Sequence, residues 1–346
     1  MPSSPEPGAN PSPTPPMTPG LAVRAGVGGV LMGLANLVPG ISGGTMLVAV
    51  GLYKRFIDAV SDVTRLKLSI PTLALLGIVG FAAAAAIVGG SGIIASALVE
   101  FRWGMFSLFI GLTLGGAPVL AKMICPFSRG AWVGLGVGAI VMLLLALAQG
   151  AGAERGGGGG TNAILLTLGG VAGASAMILP GVSGAYLLLL LGQYEPIVNA
   201  IKDGADAGRA GDMSAVLTQL GMLVPVGIGV VIGIVGVANV LRFLLRRYEK
   251  ATLGVLLGLL LAAPAGLYPF REGVPPAVGE VFKGEAVTEA NVAEFSERRH
   301  AKDWRERPFT PGAGQVAGSL GLIGLGFVLT MGVARLGREK TAPAEG

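Results

Sequence analysis

Long apolar runs alternate along the chain with short polar segments, and the length of these runs is the main structural signal. Six runs come near or exceed the roughly 20 residues that a helix needs to cross a bilayer. They cover residues 72–98, 103–121, 131–149, 215–241, 251–270 and 314–334. The pattern therefore predicts six transmembrane helices in an all-α polytopic membrane protein.

Two further apolar segments, 21–60 and 163–200, are interrupted in the middle. In the first, the sequence "NLVPGISGGT" occupies residues 36–45, and proline followed by glycine ends a helix and turns the chain. If this break divides residues 21–53 equally, each half has roughly 14 residues and a length of about 21 Å. Neither half then covers a hydrocarbon core of about 30 Å. The segment is either a re-entrant helical hairpin or a single broken crossing.

An internal repeat divides the chain into two parts. The stretch "GGVLMGLANLVPGISGGTMLVAVGLYKRFIDAVSD" returns 141 residues later as "GGVAGASAMILPGVSGAYLLLLLGQYEPIVNAIKD". Repeat 1 covers 21–150, a Gly-rich linker covers 151–162, and repeat 2 covers 163–336. Each repeat has one broken segment followed by three spans, and a long charged loop, 271–312, precedes the last span. Residues 1–20, with eight prolines, are predicted to be a disordered tail, and 337–346 a polar tail.

The distribution of basic residues separates the two interpretations of the broken segments. If both segments are re-entrant, 14 lysines and arginines of the short loops lie on one side and four on the other. With single crossings the same residues divide as ten and eight. The positive-inside rule favours re-entry, with both termini in the cytoplasm. Three crossings per repeat then make the repeats inverted, and the two hairpin tips meet near the midplane, where many transporters bind substrate.

The amino-acid composition excludes several classes of protein. The chain is 52% hydrophobic and 13% charged, with a mean hydropathy of +0.71, which excludes a soluble globular domain. Cys125 is the single cysteine and His300 the single histidine, which excludes a disulfide framework and a His/Cys metal site. No cofactor and no nucleic-acid partner are expected. Because the single histidine lies in the long loop, the sequence also argues against an enzyme such as a lipid phosphatase, which needs a nucleophile and an acid/base partner.

The broken segments carry the candidate chemistry. Ser42 and Ser183 are placed to cap the helices that follow the breaks, and the first amides of these helices are expected to attract an anion such as phosphate. Close packing of small residues is the alternative explanation for such glycines. The candidate phosphate-binding residues are Asn36, Pro39, Gly40, Ser42, Gly43, Gly44 and Thr45 in the first tip and Pro180, Gly181, Ser183, Gly184, Ala185 and Tyr186 in the second.

Three charged residues near the ends of spans are secondary candidates. Arg102 and Glu100 could contact the head group of a substrate, although an interfacial anchor or a mutual ion pair explains them equally well. Glu195 could couple protons to transport, and a solvated hairpin end is the alternative. The sequence leaves two candidates for a coupling cation, H⁺ and Na⁺.

The motifs "GLANLVPGISGGTMLVAVGLYKR" and "MILPGVSGAYLLLLLGQYEPI" resemble those of the bacterial DUF368 membrane family, over residues 24–335. The family motif falls on the proline, glycine and serine residues of both tips and on Asn36 and Thr45. The Pro-rich tail and the long outer loop depart from the family pattern without touching the motifs. Members of the family are implicated as polyprenyl-phosphate transporters, which return undecaprenyl or decaprenyl phosphate across the cytoplasmic membrane.

The resemblance thus implies a flippase in the bacterial inner membrane that recycles the lipid carrier of cell-wall synthesis. The residues fit this function, because a phosphate could lie between the tips while its prenyl tail stays in the bilayer. The alternative is an ion channel or small-anion secondary transporter that uses the same paired helix starts. A purely structural scaffold is the remaining class.

Overall fold

The fold is given by a computed structural model that describes residues 17–37, 42–152, 162–282, 285–297 and 304–336. These residues form fourteen α-helices, one 3₁₀ turn at Ala263–Gly266 and four short strands. The helices are α1 (Pro19–Asn36), α2 (Gly43–Ala49), α3 (Tyr53–Thr64), α4 (Ile70–Glu100), α5 (Arg102–Leu114), α6 (Ala117–Ile124), α7 (Arg129–Gly152), α8 (Ala163–Ile178), α9 (Gly184–Leu190), α10 (Tyr194–Ala210), α11 (Met213–Arg247), α12 (Glu249–Ala262), α13 (Val292–Phe295) and α14 (Ala313–Leu336).

Within the described ranges, six helical segments are long and apolar enough to cross a membrane, and each coincides with one of the six predicted runs. They are Ile70–Glu100, Arg102–Ile124, Arg129–Ala148, Met213–Arg247, Glu249–Gly266 and Ala313–Arg335. The predicted all-α polytopic membrane class is confirmed. The second segment is interrupted between α5 and α6, and the fifth ends in the 3₁₀ turn, in both cases beside a proline that lacks a backbone donor.

Each broken segment folds back on itself. At the start of α2, a β-carbon on Gly43 would lie 2.7 Å from Met32 Cγ, near the end of α1. On the other side of the hairpin, a β-carbon on Gly28 would lie 3.0 Å from Val50 Cγ2, just beyond α2. Arg24, still earlier in α1, donates from Nη2 to the carbonyl oxygen of Val50 at 2.7 Å. Helix α2 therefore runs antiparallel to α1.

The second broken segment has the same course. A β-carbon on Gly184, at the start of α9, would lie 2.8 Å from the carbonyl oxygen of Gly173. One on Gly169, nearer the start of α8, would lie 3.2 Å from Gln193 Cβ, beyond the end of α9. Helix α9 therefore runs antiparallel to α8. We call residues 19–52 the first hairpin and residues 163–193 the second hairpin.

The predicted division of each hairpin into two halves of roughly 14 residues is wrong. Helix α1 has 18 residues and α8 has 16, whereas α2 and α9 have seven each. The short helices stop early because Gly51 (φ +70°) and Gly192 (φ +66°) adopt the left-handed conformation that glycine favours. The following amides, of Leu52 and Gln193, each close the turn with a bond of 2.9 Å to a carbonyl five residues earlier.

The spans of the two repeats interlock. Helix α7 packs along α12, and α14 packs along α5, so the last span of each repeat lies against the second span of the other. Small residues allow this approach, since a β-carbon on Gly134 would lie 2.2 Å from the carbonyl oxygen of Ala251. Within the repeats, α1 packs on α4 and α8 on α11. Each hairpin also contacts the other repeat, the first through α2 with α8 and α14, and the second through α9 with α7.

The long loop between the last two spans has its own fold. Strand β1 (Arg271–Val274) pairs antiparallel with β4 (Arg305–Pro308), and β2 (Val281–Phe282) with β3 (Glu285–Ala286). A small aromatic core lies between them, with Phe282 and Phe295 at a centroid distance of 5.3 Å. This loop forms a cap over one end of the spans.

Candidate functional site

Among the described residues, three hydrogen bonds join the first hairpin and the adjoining Tyr53 to the second hairpin. Ser42 Oγ donates to the carbonyl oxygen of Leu179 at 2.7 Å, and the Tyr53 hydroxyl donates to that of Ile178 at 3.1 Å. In the opposite direction, the backbone N–H of Gly181 donates to Thr45 Oγ1 at 2.9 Å. Residues more than 120 positions apart in the sequence are therefore joined at the tips.

These contacts are deeply buried. Thr45 is 0%, Ser42 3% and Tyr53 4% exposed. A polar group at such a depth in a membrane protein must find a partner within the protein, and each tip supplies partners for the other. The two tips thus form one buried polar centre between apolar helices.

The serines occupy the predicted N-cap positions but do not act as predicted. Ser42 precedes α2 and Ser183 precedes α9, yet neither side chain bonds to the amides of its own helix. The Ser42 hydroxyl reaches Leu179 of the other hairpin instead. The Ser42 hydroxyl thus bonds across the interface between the tips, and the first amides of α2 receive no bond from it.

Glycine at position 44 permits the closest approach of the tips. A β-carbon there would lie 2.8 Å from the carbonyl oxygen of Ile178 and 3.1 Å from that of Met177. The amino end of α2 therefore faces the carbonyl end of α8, which is a favourable arrangement of helix dipoles. Asn36 lies beside this contact, because its Oδ1 would be 2.9 Å from a β-carbon on Gly43.

The second tip packs on α12. Pro180, Gly181 and Val182 are buried, and Gly181 has a left-handed conformation (φ +85°) in which a β-carbon would lie 2.9 Å from the carbonyl oxygen of Leu259. Ala185 is half-buried in the first turn of α9. Pro39, Gly40 and the side chain of Tyr186 lie outside the described residues.

The charged candidates lie elsewhere. Glu100 and Arg102 line a cavity of about 460 Å³ under the cap, together with Trp103, Arg271 and Trp304, and no tip residue lines this cavity. The structure therefore does not bring Glu100 or Arg102 to the tips. Glu195 is exposed in the first turn of α10, where a carboxylate complements the positive helix end.

Two parts of this centre are not evident from the sequence. Tyr53 matches Tyr194 in the repeat, but its role as a donor to the other hairpin was not predicted. The backbone acceptors at Ile178 and Leu179 were also missed, since a carbonyl leaves no mark in the sequence. Among the described residues no group of three or more His, Cys, Asp or Glu could hold a metal ion, so the chemistry of the tips is that of hydroxyls, amides and carbonyls.

Known proteins are similar to this chain over the region that contains the tips. Residues 32–279, which include both tips, fit the family model described as undecaprenyl phosphate translocase-like. A protein named polyprenyl-phosphate transporter, from Vibrio cholerae serotype O1, is 26% identical over 284 residues, covering 77% of this chain and 84% of that protein. No solved structure matches the chain. Because the family model covers most of the chain, this protein belongs to the undecaprenyl phosphate translocase-like family, the DUF368 family.

Proposed function

We propose that this protein is a flippase for polyprenyl phosphate, such as undecaprenyl or decaprenyl phosphate. The name of the Vibrio cholerae relative and of the family support this substrate. The phosphate head crosses the membrane between the two tips, while the prenyl tail stays in the bilayer, which already solvates hydrocarbon. The protein therefore has to provide a path only for the charged head.

The observation that carries the proposal is the set of three hydrogen bonds that join the first tip and Tyr53 to the second hairpin. When the hairpins separate, the hydroxyls of Ser42, Thr45 and Tyr53 and the amide of Gly181 lose these partners. In a membrane interior such groups need replacements. Phosphate oxygens accept bonds from all four, and bonds to a charged group contribute roughly 1.5–3 kcal/mol against about 1 for neutral pairs. A phosphate between the tips thus stabilises their separation.

The proposed topology gives the head access to both leaflets. The antiparallel course of each hairpin and the bias of basic residues support inverted repeats, with the first hairpin entering from the cytoplasm and the second from outside. The protein then lies in the bacterial inner membrane, with both termini in the cytoplasm. Rocking of the repeats about the tips exposes the head alternately to each side.

The proposed direction is inward, so that the lipid carrier of cell-wall synthesis is recycled. Moving one negative charge inward against 100 mV costs about 2.3 kcal/mol. A lipid gradient, protonation of the head or a co-transported H⁺ or Na⁺ must offset this cost. Transport by vesicles with and without each ion gradient separates these sources of energy.

Reconstitution tests the function. Liposomes containing the protein and a labelled polyprenyl phosphate should expose the head to an impermeant outside reagent faster than empty liposomes. Gly44→Leu should reduce this rate to that of empty liposomes, since the side chain would overlap the carbonyls of Ile178 and Met177. Gly236→Leu is the matched control, because a β-carbon at Gly236 meets nothing within 4 Å.

The same vesicles test the alternative of a channel or small-anion transporter. Chloride flux that depends on the protein, without movement of the lipid head, would favour the alternative. A wild-type rate equal to that of empty liposomes, for a protein shown to be folded, would refute the flippase.

A further inference from the structure

A second polar cluster lies away from the tips, where α3 meets the end of α11. Asn239 Oδ1 accepts bonds from Arg65 Nε at 2.6 Å and from Ser61 Oγ at 2.8 Å. Its Nδ2 donates to Thr64 Oγ1 at 2.8 Å. Asn239 thus fixes the side chain of Arg65 against α11.

Arg242 is the buried centre of this cluster. It is 9% exposed, bonds through Nη1 to Asp62 and to Ser61, and places Nε 3.1 Å from Asp58 Oδ1. Two carboxylates therefore neutralise Arg242 and hold it in place. This ion pair is structural, because a buried guanidinium without its partners would be strongly destabilising.

The cluster forms one wall of a cavity of about 270 Å³. Its lining consists of Arg65, Arg242, Phe243, Arg246 and Arg247. No lining residue carries a carboxylate, and of the described acidic side chains Asp58 and Asp62 contact the cluster, through Arg242 and, at 3.9 Å, through Arg246. Four guanidinium groups thus face two carboxylates, which leaves an excess of two positive charges. This volume is many times the roughly 10–15 Å³ that one water molecule needs on the same measure, so the cavity has room for a phosphate group.

Apolar side chains flank the arginines. Phe243 and Val240, on the same helix, are 60% and 58% exposed, and the helix is one of the membrane-spanning segments. An arginine cavity beside an apolar surface fits an amphiphile whose head is anionic and whose tail lies in the bilayer. The positive-inside rule places this end of α11 on the cytoplasmic side.

We propose that this cavity binds the phosphate of a lipid head group in the cytoplasmic leaflet. Guanidinium groups recognise phosphate through paired N–H donors, and Arg65 and Arg242 are already held in position. The occupant is either the transported polyprenyl phosphate, for which the cavity would be the point of release, or a bulk anionic phospholipid. Only the former source rests on the proposed function.

Lipid binding to the purified protein in a neutral detergent tests the site. Native mass spectrometry measures the affinity for polyprenyl phosphate, phosphatidylglycerol, phosphatidylcholine and inorganic phosphate. The measurements are made in wild type and in Gly44→Leu, so that binding at the tips does not contribute. In both backgrounds, Arg246→Gln with Arg247→Gln should weaken binding of the anionic lipid about 30-fold, from about 1 kcal/mol per arginine.

The control removes the same charge from another helix. Lys202 and Arg209 are exposed on α10, outside the cavity, and Lys202→Gln with Arg209→Gln should change the affinity less than twofold. Arg246 is 62% exposed in its side chain, so its replacement should leave the fold intact, which a melting curve checks.

Each outcome decides the proposal. Weakened binding of polyprenyl phosphate alone supports the site and identifies the transported lipid, and weakened phosphatidylglycerol alone supports it and identifies a bulk lipid. Equal weakening in the control pair, binding of inorganic phosphate without lipid, or unchanged affinity in the arginine variant would overturn it. Failure of lipid flipping with this binding intact would refute the flippase and leave the cavity site standing.

Discussion

Helices α2 and α9 occupy matching places in the two repeats but differ in their surroundings. All seven residues of α2 are buried, and the helix contacts α5, α6, α8 and α14. In α9, by contrast, the described side chains are half-buried or exposed, and Leu189 is 52% exposed where its match Val48 is 1% exposed. Related sequences with the same length thus occupy a tightly enclosed site and a loose one.

We interpret the unequal burial of α2 and α9 as a property of the conformational state that this structure represents. If the repeats are inverted, as proposed, one repeat moves against the other around a fixed site, and an exchange of conformation between the repeats produces the opposite-facing form. We therefore expect a second state in which α9 is enclosed and α2 is released. The enclosed hairpin is then a property of the conformation and not of the first repeat itself.

The largest effect is expected from removal of the hydrogen bond between Thr45 and Gly181, which joins the two hairpins. Thr45→Val leaves the buried N–H of Gly181 without its acceptor, which should cost roughly 1–3 kcal/mol of stability. Thermal unfolding in detergent measures the loss. Thr45→Ser keeps an acceptor and should recover most of it, and a Thr45→Val protein as stable as wild type would show that the tips are not held by this bond.

Removal of apolar contacts at matched positions should have an intermediate effect. Val48→Ala in α2 creates a cavity in a fully enclosed site and should cost about 1–2 kcal/mol, whereas Leu189→Ala in α9 removes an exposed side chain and should cost within about 0.5. The two unfolding temperatures, compared with that of wild type, check this. Equal losses would mean that α9 is as enclosed as α2.

The sequence predicted the parts of the fold that depend on run length and composition. Six spans followed from six apolar runs, because each must cross a hydrocarbon core of fixed thickness. The early ends of α2 and α9 were not predicted, although Gly51 and Gly192 recur at the same place in both copies. Each is the left-handed residue of a helix end, and the equal division of the hairpins ignored that signal.

The contacts between the tips could be predicted only in part. Glycine, serine and threonine at both breaks indicated a polar centre, but the acceptors for Ser42 and Tyr53 are backbone carbonyls, which every residue carries. Arg24 is one of the 14 basic residues assigned above to one side of the membrane, and its bond to Val50 could not be predicted because it depends on the folded hairpin. The unequal burial of α2 and α9 could not be predicted either, because both helices are apolar after their first residues. The difference arises from the spans that lie beside them.

The smallest expected effect concerns two matched tyrosines. Tyr53 is buried and donates to Ile178, whereas Tyr194 is half-buried and, within the described part of the chain, its hydroxyl makes no hydrogen bond. Tyr53→Phe should therefore cost about 1 kcal/mol, the net value of one hydrogen bond, and Tyr194→Phe close to nothing. If polyprenyl phosphate stabilises the second state, the order should reverse when unfolding is measured with the lipid present. An unchanged order with saturating lipid would argue that the two hairpins do not exchange their environments during transport.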